Sequence, residues 1–330
     1  MKNIFITGGA GFIGSHCAIA LVESGYNPII IDNFSKSHES IIKKIELITN
    51  KKISFYKVDL KNKKKIKKIF NKHKCYYVIH CAGLKSVKES IEKPTYYLDN
   101  NIKSTLSLLE AMFEEKIFKL IFSSSATLYE SSQPLPLKET SKINFNRNPY
   151  GKSKYIIEQI LEELSKSDKR WTIRIARYFN PISNHESGII KENSKNNPDN
   201  LIPTLVKVAQ NKLPYLKIFG KDYKTKDGTC VRDYIHVMDL AYGHVALLKK
   251  NSLNKGLKTY NFGTGKGSSV LDVIDKFEKV TKIKIPIKFV GRRKGDTAIS
   301  YCTAKKAFNE LNWKSKYSLK KAIIDLKKII

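Results

Sequence analysis

The first 32 residues constrain the fold of this chain more than any other segment. Residues 2–7 form an apolar run that predicts a short buried strand, and an amphipathic helix is predicted from residue 12 to about residue 24. Between them, the glycines of TGGAGFIG have the spacing of a turn that lets the backbone approach a pyrophosphate closely. The N–H groups at the start of the helix then face the phosphates. A dinucleotide site is therefore predicted at Gly8, Gly11, Phe12, Ile13 and Gly14.

A second strand and an acidic residue complete this pattern. The apolar run 28–31 is followed by Asp32, eighteen residues beyond Gly14, close to the spacing at which an acid binds the adenosine ribose. A carboxylate there repels a 2'-phosphate, so the pattern favours NAD over NADP, although the nearby cation Lys36 favours the opposite. A glycine pattern alone is weak evidence. Strand, glycines, helix, strand and acid in this order are strong evidence.

The alternation of strands and helices continues along the chain. Apolar runs separated by helical patterns are typical of a parallel sheet covered by helices on both faces. With 330 residues, the chain is long enough for one large or two moderate domains with a buried core. We therefore predict an α/β protein with a doubly wound parallel sheet. Further strands are predicted at residues 53–58, 77–80, 120–123 and 171–176.

The pattern changes after Tyr178, where the polar stretch 183–200 interrupts the alternation with Asn, Ser, Pro and charged residues. We interpret this stretch as the crossing into a second, smaller α/β domain. A later helix at 237–249 and a strand at 259–262 are predicted to return to the first sheet. The predicted division is 1–178, with 234–262 returning to it, for the nucleotide-binding domain, and 179–330 for the substrate domain.

Tyr150 and Lys154 form a candidate catalytic pair. Four residues apart on one helix, the two side chains share a face, where the ammonium can favour the phenolate. A free tyrosine titrates near pH ~10, so it acts as a base at neutral pH only where a cation and an enclosed site lower its pKa. Ser125, in FSSSATLY, is predicted to orient a substrate hydroxyl. A Tyr-x-x-x-Lys pair is usually a surface pair, but the dinucleotide turn makes the catalytic interpretation the better one.

The formal net charge of +31 is the most unusual bulk property of the chain. Its densest patch begins at Lys61, where Ile66, Ile69 and Phe70 are predicted to face a core while the lysines stay solvated on a helix. Nucleic-acid binding is the lesser alternative, because the patch lacks interleaved aromatic residues and a recognised nucleic-acid fold signature. Frequent Lys, Ile and Asn throughout the chain indicate an AT-biased coding background.

Cysteine and histidine usage predicts neither disulfides nor a metal site. The five cysteines are odd in number and form no CxxC pair, which favours free thiols in a reducing compartment. The seven histidines form no HExxH or comparable set. The N-terminus enters the first strand at once, and no apolar run is long enough to span a bilayer. We therefore expect a cytoplasmic protein without a membrane partner.

Seven motifs, in order along the chain from residue 2 to about residue 313, resemble the UDP-galactose (UDP-glucose) 4-epimerase family of extended short-chain dehydrogenases/reductases. They are TGGAGFIGSH, CAGLKSV, FSSSATLY, PYGKSK, RYFNP, DGTCVRDYIHVMDLA and RRKGD. The resemblance implies a Rossmann domain that keeps NAD bound and a C-terminal domain that holds a UDP-sugar. It also implies that Tyr150 takes the proton from the sugar 4-hydroxyl while hydride leaves C4. The 4-keto sugar then turns over and receives the hydride on its other face.

The resemblance also assigns roles to single residues. Arg232 and Arg293 would face the diphosphate, where a planar donor fork suits the oxygens, and Asp296 would accept from the uridine ribose. A homodimer is expected through helices at 95–113 and 149–164. The remaining cofactor contacts implied are Asp32, Asn33, Asp59, Leu60, Lys85, Asn100, Tyr150, Lys154 and Tyr178. The remaining substrate contacts implied are Lys85, Ser125, Tyr150, Asn180, Asn200, Leu201, Leu216 and Phe219.

Ser300 bears on substrate specificity, because the resemblance places it beside the 2-position of the sugar. A bulky aromatic residue there would exclude an N-acetyl group, whereas a serine leaves space. We therefore expect turnover of UDP-N-acetylglucosamine and UDP-N-acetylgalactosamine as well as of the unsubstituted pair. Residues 297–299 and 183–197 depart from the family pattern.

Two alternatives remain open from the sequence. A nucleotide-sugar 4,6-dehydratase or decarboxylase shares the cofactor turn and the Tyr-Lys pair, but a dehydratase needs a further acid or base. This chain has Ala126 and Thr127 where dehydratases usually carry an Asp-Glu pair. A non-catalytic NAD-binding or RNA-binding protein is the second alternative. The intact set Ser125, Tyr150 and Lys154 argues against it.

Overall fold

The computed structural model describes residues 1–131, 133–144, 148–192, 200–249, 255–293 and 295–330, and the backbone of Lys250. Residues 193–199 of the predicted crossing segment lie outside this set. The strands are β1 Asn3–Thr7, β2 Asn27–Asp32, β3 Ser54–Lys57, β4 Cys75–His80, β5 Lys119–Ser125, β6 Thr172–Tyr178, β7 Asn180–Ile182, β8 Leu216–Phe219, β9 Val231–Arg232, β10 Tyr234–His236, β11 Gly256–Phe262, β12 Ser268–Ser269, β13 Ile287–Val290 and β14 Ile299–Ser300.

The helices follow the helical patterns of the sequence. A 3-10 turn, Ala126–Leu128, follows β5. The helices are α1 Phe12–Glu23, α2 Ser40–Thr49, α3 Lys63–Lys72, α4 Val87–Glu92, α5 Pro94–Glu114, α6 Pro149–Ser167, α7 Leu201–Ala209, α8 Val237–Lys250, α9 Val270–Thr281, α10 Lys305–Leu311 and α11 Leu319–Lys327.

In the described part of the chain, a seven-stranded parallel sheet has the order β11-β6-β5-β4-β1-β2-β3. The doubly wound parallel sheet is therefore confirmed, with each predicted strand present and its ends shifted by a few residues. The strand order reverses between β1 and β4, because β2 lies on one side of β1 and β4 on the other. Ligands of such sheets bind in the crevice at the carboxyl ends of the strands where this reversal occurs.

Alternate residues of β1 face opposite sides of the sheet, and both sides are buried. Ile4 and Ile6 pack in one hydrophobic cluster with residues of α1 and α8. Phe5 packs in another cluster with residues of α3, α5 and α6. All three side chains are fully buried. The helices on the two faces thus fix the sheet, and the sheet fixes where the loops at its carboxyl edge lie.

The C-terminal part is built from shorter elements. Pairs β8 with β13 and β7 with β10 are parallel, and β9 lies between β12 and β14 in a small sheet. Helices α7, α9 and α11 pack around these strands in their own hydrophobic clusters. The chain also returns to the large sheet, since β11 pairs with β6 along its whole length. A domain boundary near residue 179 stays a prediction.

The lysine-rich helix α3 has the two faces that its sequence predicts. Ile66, Ile69 and Phe70 are buried. Lys63 contacts carboxylates of α5, with Nζ 2.9 Å from Glu110 and 3.0 Å from Glu114. The lysines of this patch thus lie on the solvated face of the helix, where Lys63 and Lys67 pair with carboxylates. Among the described residues, no helix combines the length and the hydropathy needed to cross a bilayer.

Candidate active site

The glycine turn between β1 and α1 has no space for a side chain at Gly8 or Gly14. A Cβ on Gly14 would lie 2.3 Å from the carbonyl oxygen of Gly8. Gly8 itself has φ +68°, and a Cβ there would lie 2.7 Å from the backbone of Ala82 after β4. These backbone atoms cannot move aside without breaking the sheet. The turn therefore holds the N-terminus of α1 directly at the carboxyl edge of β1 and β4.

The residues around this turn fit a dinucleotide. Gly11 precedes α1 without a side chain, and the first turn of α1 is uncharged, so its N–H groups can face a pyrophosphate. Asp32 ends β2, and its carboxylate accepts from Ala10 N at 3.0 Å and from Phe34 N at 2.8 Å. Ser37 Oγ also donates to this carboxylate, at 3.1 Å. A carboxylate has about four lone-pair sites, so these three bonds orient Asp32 and leave about one site for a ribose hydroxyl.

The adenine side of the predicted cofactor site is also assembled. Asn33 Nδ2 donates to Asp59 Oδ2 at 3.1 Å, and Leu60 beside it is buried. Lys36, which favoured a 2'-phosphate in the sequence, lies 3.3 Å from Glu89 and is neutralised by it. The structure thus brings Asp32, Asn33, Asp59 and Leu60 to one side of the turn, with an acid and not a free cation at the ribose position.

Lys154 lies at the base of the candidate catalytic site. Asn148 caps α6 by accepting from Gly151 N at 2.8 Å, which fixes the start of the helix. One turn further on, Lys154 Nζ donates to Ser123 O of β5 at 2.8 Å, and the side chain is only 6% exposed. Burial lowers the pKa of Lys154 to about 8. The side chain thus stays mainly protonated at neutral pH and is fixed to the sheet.

Tyr150 lies in the first turn of α6. Burial raises the pKa of Tyr150, and the nearby Ser125 hydroxyl acts in the opposite direction. The Lys154 ammonium donates to Ser123 O. That Lys154 lowers the pKa of Tyr150 in the NAD-bound enzyme stays a prediction. Ser125 accepts from Thr127 Oγ1 at 2.9 Å, which holds its hydroxyl in place.

The loop after β4 is held by a residue that sequence reasoning missed. Asn101 accepts from Leu84 N at 2.8 Å, donates to Leu84 O at 3.1 Å and donates to Ser153 of α6 at 3.0 Å. The predicted Asn100 contacts this side chain through its own amide, 3.3 Å away. Lys85 on the same loop lies 2.7 Å from Glu192. Only the adjacency of Asn100 and Asn101 in the sequence signals this role.

A second group missed from the sequence is a buried ion pair behind the site. Arg177 of β6 lies 2.6 Å from Glu158 of α6, and both side chains are almost fully buried. Ser124 of β5 donates to the same carboxylate at 2.5 Å. Glu158 is one turn beyond Lys154, so the pair fixes the helix that carries the catalytic residues. In the sequence, Arg177 and Glu158 stand out only as charged residues within apolar stretches, which does not show that they pair with each other.

The predicted diphosphate and ribose ligands lie together in the C-terminal part. Arg293 Nε donates to Asp296 Oδ2 at 3.0 Å, and its guanidinium lies 4.5 Å from the ring centre of Phe219. Arg232 of β9 lies 3.8 Å from the same carboxylate and donates to Thr297 O at 2.7 Å. Two guanidinium groups, one acid and one aromatic ring thus form a compact group suited to a nucleoside diphosphate.

Other predicted substrate residues lie around this group. Asn180 begins β7, and its N–H donates to Asp233 O at 2.9 Å. Asn200 precedes α7 as its N-terminal cap, and Leu201 is the first residue of that helix. Leu216 is 1% exposed in the core cluster around β8, so its side chain is not presented to a ligand. At this strand Phe219, which is half-buried, is the side chain that a ligand can meet.

Ser300 pairs with Arg232 in the small sheet of β9 and β14. Its side chain is half-buried and lines a small hollow with Tyr129 and Leu135. These two residues belong to the segment that follows Ser125. The structure therefore brings Ser300 between Arg232, a predicted diphosphate ligand, and the segment that follows β5.

Comparison with known proteins agrees with this geometry. A family model described as GDP-mannose 4,6 dehydratase matches residues 5–326. UDP-glucose 4-epimerase 2 of Arabidopsis thaliana is 45% identical over 329 residues, which cover 98% of this chain and 94% of that protein. This chain belongs to the UDP-glucose 4-epimerase family.

Two solved epimerase structures show the same fold with ligands. The UDP-glucose 4-epimerase of Bifidobacterium longum, in complex with NAD+ and UDP, has a TM-score of 0.96 at 43% identity and covers 99% of this chain and 98% of its own. The UDP-glucose 4-epimerase of Stenotrophomonas maltophila, with bound NAD and formylated UDP-arabinopyranose, has a TM-score of 0.97 at 39% identity. It covers 100% of this chain and 98% of its own. NAD is therefore the cofactor of this epimerase family member, as the acid at Asp32 predicted.

The dehydratase alternative finds no support at the site, although the matching family model carries that name. The 3-10 turn after Ser125 contains Ala126 and Thr127, and the Thr127 hydroxyl is used to hold Ser125. Neither side chain can carry a proton to or from carbon as a carboxylate does. Within the family, the site therefore fits epimerisation better than elimination.

Proposed function

We propose that Tyr150, Ser125 and Lys154 carry out the UDP-glucose 4-epimerase activity of this chain. The observation that carries this assignment is the anchor of α6 at the carboxyl edge of the sheet: Lys154, one turn beyond Tyr150, donates to Ser123 O at 2.8 Å, and Ser125 ends the same strand. A base that takes the proton of a sugar hydroxyl must lie within hydrogen-bond reach of it. Ser125 and Tyr150 together can hold that hydroxyl from two sides.

The three residues have separate tasks. Tyr150 Oη takes the proton of the 4-hydroxyl and returns it. Ser125, held by Thr127, fixes the direction of that hydroxyl. Lys154 keeps a buried positive charge at the base of the site, anchored on Ser123 O. When bound, NAD supplies the hydride acceptor and a positively charged ring, which favours the phenolate of Tyr150 further.

The UDP part of the substrate is held by the C-terminal group. Arg232 and Arg293 offer planar donor forks to the diphosphate, Asp296 accepts from the uridine ribose, and Phe219 packs against the nucleoside. Strong contacts to UDP and few contacts to the hexose let the 4-keto sugar rotate in the cleft while the nucleotide stays in place.

The assignment is tested by turnover of UDP-galactose by purified protein with no nicotinamide added, with the epimers resolved by chromatography. Conversion that is lost in Tyr150→Phe, while the variant keeps its bound NAD, supports the proposal. Equal conversion by wild type and Tyr150→Phe would contradict it. If neither converts UDP-galactose even with NAD added, a dehydratase or non-catalytic role gains weight.

We also propose that the epimerase accepts the N-acetylated pair, UDP-N-acetylglucosamine and UDP-N-acetylgalactosamine. Ser300 is small and lines a hollow with Tyr129, Leu135 and Thr297. A serine hydroxymethyl leaves a volume that an aromatic ring would fill, so the 2-substituent of the hexose has room there.

Ser300→Tyr tests this specificity, with Ser315→Tyr as a matched control. Ser315 lines a different cavity, with Gly263 and Phe308, away from the proposed substrate group. We expect Ser300→Tyr to lose N-acetyl turnover while it keeps UDP-galactose turnover, and Ser315→Tyr to change neither. Unchanged N-acetyl turnover in Ser300→Tyr would refute the specificity proposal and leave the epimerase assignment intact.

We further propose a cytoplasmic homodimer. Leu106 and Phe113 on α5 are seven residues apart, share one helix face, and are 39% and 48% exposed. A second copy of α5 and α6 would cover this apolar face. Sedimentation at micromolar concentration should show a dimer in the wild type and a monomer in Leu106→Lys. A monomeric wild type would refute the proposal.

A further inference from the structure

A cluster of two thiols and an imidazole lies beside the catalytic site, although the sequence predicts no metal set. It consists of Cys17 on α1, Cys81 directly after β4 and His244 on α8. The Sγ atoms and a ring nitrogen of these residues all lie within 4.8 Å of one another. Cys17 and His244 are fully buried. We call this group the thiol–imidazole cluster. Positions so far apart in the chain meet only because β4 ends between α1 and α8.

The tautomer of His244 leaves a lone pair at Nε2. His244 Nδ1 lies 2.9 Å from the carbonyl oxygen of Leu240, and a carbonyl can only accept. Nδ1 therefore carries the proton. Burial lowers the pKa of His244 to about 4, so the ring is neutral at neutral pH. Nε2 accepts from the Tyr178 hydroxyl at 2.5 Å. A neutral imidazole with one nitrogen fixed by a carbonyl is the usual form of a metal-ligating histidine.

The two thiols differ in their readiness to ionise. The hydrogen bond from Cys17 and the nearby Lys154 ammonium lower the pKa of Cys81. Burial raises the pKa of Cys17 well above its usual value. Both cysteines are free thiols, as are the other three of the chain.

We propose that Cys17 Sγ, Cys81 Sγ and His244 Nε2 form a binding site for one thiophilic divalent cation, such as Zn²⁺ or Cd²⁺. Two sulfur ligands and one imidazole are the donors that such cations prefer. Both thiols give up their protons on binding, so each cation releases two protons to solvent. Two thiolates neutralise the 2+ charge, which avoids an uncompensated charge in the core.

Occupation of the cluster changes three contacts of the cofactor site. The Nε2 lone pair passes from the Tyr178 hydroxyl to the cation. Ser123 Oγ donates to Cys81 Sγ at 3.1 Å, so movement of this sulfur toward the cation shifts the hydrogen bond of Ser123, whose carbonyl oxygen is the anchor of Lys154. The backbone after Cys81 also lies against Gly8 of the glycine turn. Cation binding is therefore expected to lower epimerase turnover.

The test is titration of reduced holoenzyme with Cd²⁺, followed by the ultraviolet charge-transfer absorption of the cadmium–thiolate bond and by metal analysis after desalting. We expect one Cd²⁺ per chain in the wild type and its loss in Cys17→Ala and in Cys81→Ala. Cys75→Ala is the matched control, because Cys75 lies at the other end of β4, away from the cluster. This variant should bind Cd²⁺ as the wild type does.

Three results would overturn the proposal. One is a wild type that shows no cadmium–thiolate absorption after prolonged incubation. Another is equal Cd²⁺ uptake by wild type and Cys17→Ala. The third is an intact mass lower by two hydrogens in the reduced preparation, since a disulfide would then occupy the two thiols. Cadmium binding is read without substrate, so its outcome is independent of whether the chain converts UDP-galactose.

Discussion

The two halves of the proposed active site are built in different ways. On the cofactor side, Gly8, Gly14 and Lys154 sit on or between long buried elements, and Lys154 is 6% exposed. On the substrate side, Arg232 and Asp296 sit on a two-residue strand and a loop, and Arg293 is exposed. The cofactor side is fixed by backbone packing. The substrate side is fixed by ion pairs among its own ligands.

This difference indicates what each half does during turnover. A rigid cradle suits a cofactor that stays bound, since the cost of ordering the residues is met on folding. Exposed ion pairs contribute little to stability, so Arg293 can exchange its carboxylate for a diphosphate at small cost. Changes on the cofactor side should therefore affect catalysis or folding, and changes on the substrate side should affect substrate binding.

The largest effect is expected from Tyr150→Phe. Loss of the general base should lower kcat by about 10²–10⁴-fold and leave the KM for UDP-galactose nearly unchanged. Tyr155→Phe, on the same helix, is the control and should retain activity. Steady-state kinetics on both variants checks this. A Tyr150→Phe enzyme with a raised KM and an unchanged kcat would place the catalytic base elsewhere.

Gly14→Ala should mainly reduce stability, because its Cβ would lie 2.3 Å from Gly8 O. Crowding against backbone of this kind should cost about 3 kcal/mol of the free energy of unfolding, together with loss of bound NAD. Gly291→Ala is the control, since a Cβ there has no atom within 4 Å among the described residues. Denaturant unfolding measures both. Equal stability of the two variants would refute the rigid cradle.

Arg293→Ala should weaken substrate binding without affecting the chemical step. Loss of charged hydrogen bonds to the diphosphate should raise KM by about thirtyfold, or about 2 kcal/mol, with kcat maintained. Arg292→Ala is the matched control, because Arg292 is adjacent to Arg293 in the chain but pairs with Asp222. Inhibition by UDP should weaken in parallel. A fall in kcat with constant KM would remove the distinction between the two halves.

The smallest expected effect is on the free energy of unfolding at acid pH, through His80 on the cofactor side. His80 is buried between the hydroxyls of Thr7 and Thr105, and burial lowers its pKa to about 3. The unfolded chain takes up a proton near pH ~6.5, so it binds more protons than the folded chain below that pH, and stability falls as the pH falls.

This effect can be isolated with His80→Gln, which keeps a hydrogen-bonding side chain but does not titrate. Between pH ~7 and ~5.5, wild type should lose about 1 kcal/mol more of its unfolding free energy than the variant does. His38→Gln is the control, because His38 is exposed. Parallel pH profiles of wild type and His80→Gln would show that this histidine has no part in acid lability.

Much of the cofactor side was predictable from sequence because its signals are local. Strand, glycine turn, helix and acid follow one another within 32 residues, so spacing alone positions Gly14 and Asp32. The pair Tyr150 and Lys154 likewise needs only a helix. The rise of the Tyr150 pKa was not predictable, since burial causes it and burial depends on the tertiary structure.

The sequence by itself determined the α/β class, the parallel sheet, the dinucleotide turn and the preference for NAD, since each rests on periodicity or short spacing. Only the tertiary structure decided which distant residues meet: Arg177 with Glu158, Arg293 with Phe219, and Cys17 with Cys81 and His244. Periodicity reports which face of an element is buried, but not which element covers it. Strand order and helix packing decide that, and the chemistry of each contact follows from them.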